Sequence, residues 1–386
     1  MNVLFLSPNF PPNYKFFVFA LRDAGARVIG IGDSPAWEMP DDLRAAMIDY
    51  IYIPDMINKM DDLHRAVEAI VHRIGPLHRI ESHNEHWLEH DAKLRESFGI
   101  YGQKPADLLR NRRKLGMKDL FRDAGVPVAP AELVKSKPQA IAFANRVGFP
   151  LMLKPDVGVG ASGATKVNTL AELEAKLDPL PGDLIIEKFV KGRIVTYDGL
   201  ADRDGNILFE SSLRYSAGIM EIVQQRLVFH YHTIRDIPEN LLNDGRRSVQ
   251  AFGIRERFFH FEFFELENGD YYGLEVNVRP PGGFSMDMMN YSADVDLFRA
   301  YARLCLFNEN ELPYERENFV AHVGRRDGAH YTLKHDQIMR DLGIAFVHHP
   351  QMPRLWGPVM GDTVYLLGDP DFDRLKAAIA KVEEVS

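Results

Sequence analysis

The pattern of apolar and polar residues is most regular between His260 and Gly283, where alternating runs flank the pair Asn268-Gly269. This arrangement predicts a β-hairpin, because both central positions of a two-residue type I′ turn need a positive φ, which asparagine and glycine tolerate. One face of the hairpin is then apolar and suited to cover a core. Its residues are Phe259, Phe261, Phe263, Leu274, Val276 and Val278.

The other face of the predicted hairpin is polar and carries two opposed acids. Counting back from the turn places Glu262 opposite Glu275 and His260 opposite Asn277, with Arg279 on the same face. Like charges directly opposite each other destabilise a sheet, so this placement indicates a cation between them. Carboxylate and amide oxygens without cysteine form a site that suits Mg²⁺ shared with phosphates. A solvated polar face without function is the alternative.

The first 103 residues alternate short apolar runs with segments of helical spacing, which predicts an open α/β domain. The first predicted strand–helix turn reads Ser-Pro-Asn-Phe-Pro-Pro-Asn and lacks the pattern Gly-x-Gly-x-x-Gly, so a classical dinucleotide site is not indicated there. The predicted strands are 3–7, 26–32, 50–54 and 79–82, and the predicted helices are 14–24 and 61–73.

A lysine followed by a glycine-rich loop marks the middle of the chain. A predicted strand delivers Lys154 near its end, and the loop 157–163 follows it. Three glycines of this loop satisfy the Rossmann pattern, but extended residues rather than a helix come next, and Ala164 stands where a P-loop has lysine. We therefore predict a loop between two strands whose backbone amides fold over phosphates. A hairpin turn without function is the alternative.

Helical spacing and charge describe the remaining segments only coarsely. Residues 105–124 read as a helix with a basic cluster that includes Lys114 and Lys118, and such a charge run is usually a solvated face. After about residue 310, extended segments alternate with the predicted helices 335–342 and 372–385, which indicates a small α/β cap.

Composition excludes several classes of protein. The 386 residues exceed the roughly 250–300 at which single cores stop growing, so two or three domains are expected. The net charge of -9 argues against nucleic acid as a partner. The single cysteine, Cys305, excludes an internal disulfide and fits a reducing compartment. Because neither a signal peptide nor a membrane-length apolar stretch is evident, we expect a cytoplasmic protein without a membrane partner.

A zinc site is a weaker alternative to the magnesium site. His86, Glu89 and His90 match the zinc-helix pattern His-x-x-Glu-His. In a histidine-rich stretch this pattern arises easily by chance, and no separate downstream acid is evident as a third ligand. Zinc would also leave the acids of the hairpin unexplained.

Six elements in this order resemble the ATP-grasp superfamily. They are Lys114, Lys154, the glycine loop, the strand Ile-Ile-Glu-Lys-Phe-Val at 185–190, Glu262, and Glu-x-Asn-x-Arg at 275–279. The resemblance covers nearly the whole chain and implies α/β and α+β architecture. It implies an N-terminal open α/β domain at 1–103, two nucleotide-binding lobes at 104–309 and a C-terminal α/β cap at 310–386.

The resemblance also implies the site residues. Lys114 and Lys154 would hold the α and β phosphates of ATP, and Arg279 would stabilise the transferring phosphoryl group, so Arg279 and Lys154 are the expected catalytic residues. Mg²⁺, with Mn²⁺ as a possible substitute, would be bound by Glu262, Glu275 and Asn277. The further nucleotide contacts would be the loop residues Gly158, Gly160, Ser162 and Gly163 and the adenine-binding segment Glu187, Lys188, Phe189 and Val190.

Two positions depart from the family pattern. Arg113 precedes the first lysine where an aspartate is common, and Ile194 stands where many members have a glutamate for the ribose. Asp198 is the candidate that would replace this glutamate.

The implied reaction is ATP-dependent activation of a small-molecule carboxylate to an acyl phosphate, which an amine attacks with release of ADP and phosphate. Alternatives with the same fold use bicarbonate, a thiol or phosphotransfer. A regulatory nucleotide-binding protein without turnover and a dehydrogenase based on the glycine loop are further alternatives. A homodimer is possible. The candidates for recognising a substrate carboxylate are Arg214, Arg226, Arg325 and Arg326.

Overall fold

The computed structural model describes residues 1–158, 163–180, 182–218, 229–342, 346–348, 352 and 357–386. Within these ranges the chain forms three sheets with helices between them and around them, which confirms the predicted mixed α/β architecture. No helix in the described ranges is long and apolar enough to cross a membrane.

The N-terminal residues form a parallel sheet flanked by helices. Its strands are β1 (Asn2–Leu6), β2 (Arg27–Gly32), β3 (Asp49–Tyr52) and β4 (Arg79–Glu81), and the helices are α1 (Lys15–Asp23), α2 (Asp41–Ala46), α3 (Met60–Ile74) and α4 (Leu88–Ser97). The strand order is β3-β2-β1-β4. Every residue of β1 is buried, as expected for a strand covered on both faces. The predicted open α/β unit is confirmed.

A small antiparallel sheet follows, reached through two helices. Its elements are α5 (Pro105–Arg112), α6 (Lys114–Asp123), β5 (Ala131–Leu133), α7 (Lys137–Val147), β6 (Leu151–Pro155), β7 (Thr165–Val167), α8 (Leu170–Lys176) and β8 (Leu184–Lys188). The strands run in the order β5-β8-β6-β7 in the described part of the chain. Because the glycine loop joins two antiparallel strands, β6 and β7, the strand–loop–strand prediction is confirmed and the Rossmann alternative is excluded.

The largest sheet contains the hairpin and, among the described residues, has nine strands. Its strands are β9 (Arg193–Ala201), β10 (Ile207–Ser211), β11 (Leu213–Tyr215), β12 (Phe229–Thr233), β13 (Arg257–Glu265), β14 (Tyr271–Asn277), β15 (Phe319–Arg325), β16 (Phe346–His348) and β17 (Thr363–Asp369). They run in the order β14-β13-β9-β11-β12-β15-β17-β16, and β10 pairs with β9. The three C-terminal strands therefore extend this sheet. The domain boundaries themselves remain predictions.

Six further α-helices follow the small sheet in the described part of the chain. They are α9 (Glu239–Ala251), α10 (Ser285–Ala293), α11 (Leu297–Phe307), α12 (His335–Asp341), α13 (Gly357–Met360) and α14 (Phe372–Glu383). Helix α14 packs on the strands that follow residue 310, because Val323, Leu367 and Ile379 share one buried cluster.

The turn of the β13–β14 hairpin is a three-residue loop, so the predicted two-residue type I′ turn is wrong. The amide of Leu266 donates to the carbonyl of Asp270 at 2.9 Å, which closes the loop around residues 267–269. Gly269 has a φ of 84°, whereas Asn268 is not in the left-handed region. This combination is typical of three-residue hairpin loops, in which the last loop residue takes the left-handed conformation. The register next to the turn is consequently shifted by one residue.

A β-bulge restores the predicted register at the polar end of the hairpin. Phe263 pairs with Gly273, whereas Glu262 pairs with Glu275, so Leu274 is an extra residue on β14. The shift at the turn and the shift at the bulge cancel, and the opposition of the two acids is confirmed. Leu274 was predicted to lie on the apolar face, but as the bulged residue it is only half-buried and lies outside the apolar cluster of the hairpin.

The apolar face of the hairpin packs against helix α6 at very short range. Phe261, Phe263 and Val276 share a buried cluster with Phe121 of α6. A Cβ atom on Gly273 would lie only 2.7 Å from Cγ of Phe121, so this position has room for glycine alone. Because α6 begins with a lysine of the candidate site, this contact sets the distance between that lysine and the hairpin.

Buried ion pairs attach the N-terminal sheet to β13. Two guanidinium nitrogens of Arg79, on β4, donate to the carboxylate of Glu256 at 2.6 Å each. Glu81, also on β4, faces Arg95 at 3.0 Å and Arg257 at 3.4 Å. Removing one partner of such a pair would leave a buried charge uncompensated. These contacts hold the loops after the N-terminal strands against the polar end of the hairpin.

We expect Gly273→Ala to lower the free energy of unfolding by about 1–3 kcal/mol, because the new methyl group would overlap Phe121. Gly116→Ala in the same helix, α6, is the matched control. Its Cβ would meet the Arg110 carbonyl at an ordinary 3.4 Å, and replacing a helical glycine should stabilise by up to about 1 kcal/mol. Urea unfolding of both variants measures this difference, and equal effects of the same sign would contradict the close-packing role of Gly273.

Candidate functional site

Two opposed carboxylates form the centre of the site. Glu262 on β13 and Glu275 on β14 are direct cross-strand neighbours, and their side chains are 16% and 13% exposed. Burial and the charge of Glu262 raise the pKa of Glu275 to about 7, although Lys114 and Lys154 act in the opposite direction. The ammonium nitrogen of Lys114 lies 4.0 Å from Glu275 Oε2. The site therefore has excess negative charge that a cation would compensate.

A buried histidine supports Glu262, and the sequence had placed it on this face without a role. His260 Nδ1 lies 2.5 Å from Asp198 Oδ1, and Nε2 lies 3.3 Å from Glu262 Oε1. Burial alone would lower the pKa of His260, but the two carboxylates raise it to about 9. At neutral pH both ring nitrogens are protonated, and the imidazolium holds Glu262 in position. The alternation His-x-Glu on a strand is the sequence signal for this contact.

Asp198 does not occupy a position suited to a ribose. Its side chain is fully buried on β9, bonds to His260 and accepts a hydrogen bond from the Thr196 hydroxyl. A ribose hydroxyl needs an acceptor that a ligand can reach. The placement therefore argues against the predicted ribose contact, because Asp198 instead fixes the histidine behind the opposed acids.

Helix α6 delivers Lys114 to the site, and a residue at the end of β6 fixes where this helix begins. The Asp156 carboxylate accepts a hydrogen bond from the Leu115 amide at 2.9 Å, and the Asp156 carbonyl accepts one from the Lys114 amide at 2.8 Å. The Lys114 ammonium donates to the Gly158 carbonyl at 2.7 Å. Lys114 thus connects the beginning of the glycine loop with the opposed acids.

Lys154 is held by a buried triad that the sequence did not reveal. Glu187 lies 3.2 Å from the Lys154 ammonium and 2.7 Å from that of Lys118. Burial would raise the pKa of Glu187, but the two lysines lower it. Lys118 is only 1% exposed, so its interpretation as part of a solvated basic face is wrong. Its spacing of four residues from Lys114, which places both on one face of α6, was the available signal.

The segment from Glu187 to Val190 and the glycine loop lie at the two ends of β6. The amide of Lys188 donates to the Pro130 carbonyl at 2.9 Å, and the amide of Phe189 donates to the Pro150 carbonyl at 3.2 Å. These two amides are therefore engaged within the protein. The contact of this segment with an adenine remains a prediction.

Only the ends of the glycine loop can be placed. Gly158 follows β6, and Gly163, with a φ of 73°, precedes β7. Gly160 and Ser162 lie outside the described residues. Their contacts with phosphates remain predictions.

Arg279 joins the hairpin to the N-terminal sheet. Its Nε lies 3.2 Å from Glu85 Oε2, and its Nη2 donates to Asn277 Oδ1 at 3.2 Å. Glu85 follows β4, so the site includes a residue from the N-terminal sheet that the sequence did not indicate. The signal would have been its place at the carboxyl end of a parallel strand.

The other arginines considered for a substrate carboxylate have different environments. Arg214 pairs with Glu265 at 2.7 Å. Arg325 and Arg326 donate to backbone carbonyls in the C-terminal part of the chain. Arg226 lies outside the described residues. Substrate recognition by Arg214 or Arg325 is therefore not supported.

The histidine-rich segment is not arranged as a zinc site. His86 is exposed, His90 Nε2 lies 3.2 Å from the Ile57 carbonyl, and Glu89 pairs with Lys93 at 2.7 Å. In the ranges that the structure describes, no group of three or more His, Cys, Asp and Glu side chains could hold a metal ion.

The hairpin residues fit a magnesium ion that is shared with a ligand. Glu262, Glu275 and Asn277 supply two carboxylates and an amide oxygen, without sulfur. Such a set is too small to complete an octahedral shell, so the remaining oxygens would come from water and phosphates, as is usual for Mg²⁺ at nucleotide sites. Lysine ammonium groups on one side and acids on the other are the arrangement that a metal–polyphosphate complex requires.

Comparison with known proteins agrees with this arrangement. Residues 113–280 match the family model "Carbamoyl-phosphate synthase L chain, ATP binding domain". An L-arginine-specific L-amino acid ligase of Bacillus subtilis is 24% identical over 276 residues, which cover 68% of this chain. The match spans 66% of that relative, slightly less than two thirds of its length.

Solved structures match over the full length. The L-amino acid ligase from Bacillus licheniformis has a TM-score of 0.76 and 16% identity, covering 100% of this chain and 98% of that chain. The biotin carboxylase domain of Hydrogenobacter thermophilus 2-oxoglutarate carboxylase, in complex with MgADP, ADP and bicarbonate, has a TM-score of 0.73 and 18% identity, covering 100% and 90%. These matches establish the fold. Residues 113–280 resemble an ATP-binding domain, as the order of the sequence elements predicted.

Proposed function

We propose that the protein is an ADP-forming ligase that activates a small-molecule carboxylate with ATP and joins it to an amine. The observation that carries this proposal is the opposition of Glu262 and Glu275 beside Lys114, because like charges held together need a cation and its polyphosphate. The L-amino acid ligases among the similar proteins support an amine as acceptor.

ATP lies between the small sheet and the hairpin in this proposal. Lys114 and Lys154 bind its phosphates, the glycine loop covers them, and the segment 187–190 receives the adenine. Glu262, Glu275 and Asn277 hold Mg²⁺ or Mn²⁺, which when bound neutralises charge on the terminal phosphates. Lys118 acts through Glu187 to position the Lys154 ammonium.

The reaction has two steps. A carboxylate oxygen of the substrate attacks the γ-phosphorus, the bond from that phosphorus to the β–γ bridging oxygen breaks, and ADP leaves. The neutral amine then attacks the acyl carbon, the bond to the phosphate oxygen breaks, and phosphate leaves as the amine nitrogen loses a proton. Arg279 stabilises the negative charge of the phosphoryl group in both steps. No side-chain nucleophile is required, since positioning and charge supply the catalysis.

A paired-substrate assay tests the proposal. The protein is incubated with ATP, Mg²⁺ and pairs of carboxylates and amines, and ADP, AMP and products are quantified by mass spectrometry. We expect ADP and an amide in equal amounts, with both substrates required. AMP and pyrophosphate would contradict the acyl phosphate. A carboxylated product, a thioester or a phosphorylated product would assign another acceptor, and ATP binding without turnover under all conditions would favour a regulatory protein.

We expect Glu262→Gln to lower kcat for ADP release by about 100-fold or more, because it removes one of the two carboxylates that hold the cation. Glu267→Gln is the matched control. Glu267 lies in the turn of the same hairpin and, among the residues that the structure describes, pairs with the exposed Lys191 at 3.1 Å. Steady-state kinetics of both variants provides the measurement. Similar kcat values for the two variants would contradict the proposed role of Glu262.

The raised pKa of Glu275 predicts a pH-dependent gain in stability for Glu275→Gln. Wild-type protein must ionise this acid in the folded state at about pH 7 instead of near the ordinary value of 4.5, so it loses stability as the pH rises through this interval. The glutamine variant avoids this loss. In metal-free buffer its unfolding free energy should exceed that of the wild type by up to about 3 kcal/mol at pH 8 and by little at pH 4.5. A pH-independent difference would contradict the prediction.

A further inference from the structure

A cleft of about 320 Å³ lies between α5 and the turn that joins α9 to β13. The residues that line it include Tyr101, Gln103, Arg110, Asn111, Phe252 and Arg255. None of the residues assigned to the proposed ATP and metal sites lines this cleft. Its volume lies in the range of pockets that hold small molecules. The cleft therefore offers room for a ligand outside the site described above.

Guanidinium groups dominate the charge of the cleft. Arg110 on α5 and Arg255 on the facing turn are exposed, and neither forms an ion pair among the described residues. Arg255 donates to the backbone carbonyl of Asp204. One carboxylate, that of Asp107, also lines the cleft, and it accepts a hydrogen bond from the Lys104 amide at 2.9 Å. The excess of positive charge favours an anion as the ligand.

Tyr101 brings a third guanidinium to the cleft. Tyr101 is 37% exposed, and the guanidinium carbon of Arg203 lies 4.3 Å from the centre of its ring. Arg203 likewise forms no ion pair within the part of the chain that the structure describes. Arg79 lies 5.5 Å from the same ring, but its charge is compensated by Glu256. The negative face of the ring therefore holds a cation whose charge is available to an anion in the cleft.

Gln103 adds a hydrogen-bond acceptor without a partner. Its Oε1 is buried and accepts no hydrogen bond from the described residues. A buried acceptor in this state costs free energy unless a donor reaches it. Because the terminal torsion of glutamine is broad, a small rotation brings this oxygen to a donor in the cleft. A ligand with an anionic group and a hydroxyl or N–H group would satisfy the arginines and the glutamine together.

Asn111 connects the cleft with the proposed reaction centre. It is 7% exposed, and it lines both this cleft and the cavity that contains Glu275 and Asn277. Arg110 precedes it on α5, and α6 begins with Lys114 two residues after α5 ends. A ligand that draws Arg110 towards itself therefore acts on the helix that sets where Lys114 begins its own helix. A site of this kind couples to a second site when the two ligands favour the same or opposite placements of the helix.

We propose that the cleft binds a small organic anion whose carboxylate or phosphate group is held by Arg110 and Arg255, and that this anion changes the affinity for MgATP through α5. Guanidinium groups recognise both kinds of anion by paired hydrogen bonds. Gln103 accepts a hydrogen bond from a hydroxyl or N–H group of the same ligand. The anion acts as an effector, because no proposed catalytic group lines the cleft. The anion site is independent of the proposed ligase function, whereas its effect on MgATP rests on that function.

Isothermal titration calorimetry of the full-length protein with L-malate and with glycerol 3-phosphate tests the site. Each probe combines anionic oxygens with a hydroxyl group, and uncharged glycerol is the control ligand. We expect at least one of the two anions to bind with a Kd of about 1 mM or lower, and glycerol not to bind. Binding of malate alone would assign a carboxylate ligand, and binding of glycerol 3-phosphate alone would assign a phosphate ligand. Absence of binding by both anions would overturn the proposal.

Charge-removing variants assign the bound anion to the cleft. Arg110→Gln and Arg255→Gln should each weaken binding of the same probe at least about tenfold, because each removes a charge-assisted contact. Arg122→Gln is the matched control, since Arg122 is an exposed arginine on α6 that lies outside the cleft and pairs with Asp119 at 2.7 Å. Thermal unfolding verifies that each variant is folded. Equal affinities in the cleft variants and the control would place the anion elsewhere and overturn the site.

Titration of MgATP with and without a saturating concentration of the bound probe measures the coupling. We expect the Kd of MgATP to change at least about fivefold in the wild type and to stay unchanged in the Arg110→Gln, Arg255→Gln double variant. No change in the wild type, or a change that persists in the double variant as competition at the ATP site would, overturns the effector role. Failure of MgATP to bind would overturn the proposed ligase function and the effector role, and the anion titrations would still support or overturn the cleft as a site.

Discussion

Electrostatic repulsion between Glu262 and Glu275 is the constraint on which the rest of the site depends. Two acids in direct cross-strand opposition are unfavourable in an isolated hairpin, and partial burial increases the cost. The raised pKa of Glu275 is the direct expression of this cost. The surrounding structure therefore has to hold the two carboxylates together against this repulsion.

The fold meets this requirement by close packing and by buried charge pairs. The bulge at Leu274 sets the opposition of the acids, and Gly273 lets α6 approach the same strand. His260, fixed by Asp198, holds Glu262 through a positively charged ring. The partners in these packing and charge contacts are largely buried, so the preorganisation of the site does not depend on flexible surface contacts.

The site combines residues from three sheets. The small sheet and α6 contribute lysine ammonium groups, the hairpin contributes acids, and the N-terminal sheet contributes Glu85 through its contact with Arg279. Positive groups therefore lie on the side where phosphates are expected.

The sequence alone determined the alternation of the hairpin, the parallel N-terminal unit, the loop between β6 and β7 and the order of the charged elements, because each depends on local periodicity or on spacing along the chain. It predicted correctly that Glu262 lies opposite Glu275, although it predicted the wrong turn. The error had no effect on this pair, because the one-residue register shift at the loop and the one at the bulge cancel. Only the tertiary structure decided that Lys118 is buried against Glu187, that Asp198 supports His260, and that Glu85 meets Arg279. These contacts join residues far apart in the chain. They depend on long-range packing and desolvation, which leave no periodic signal in the sequence.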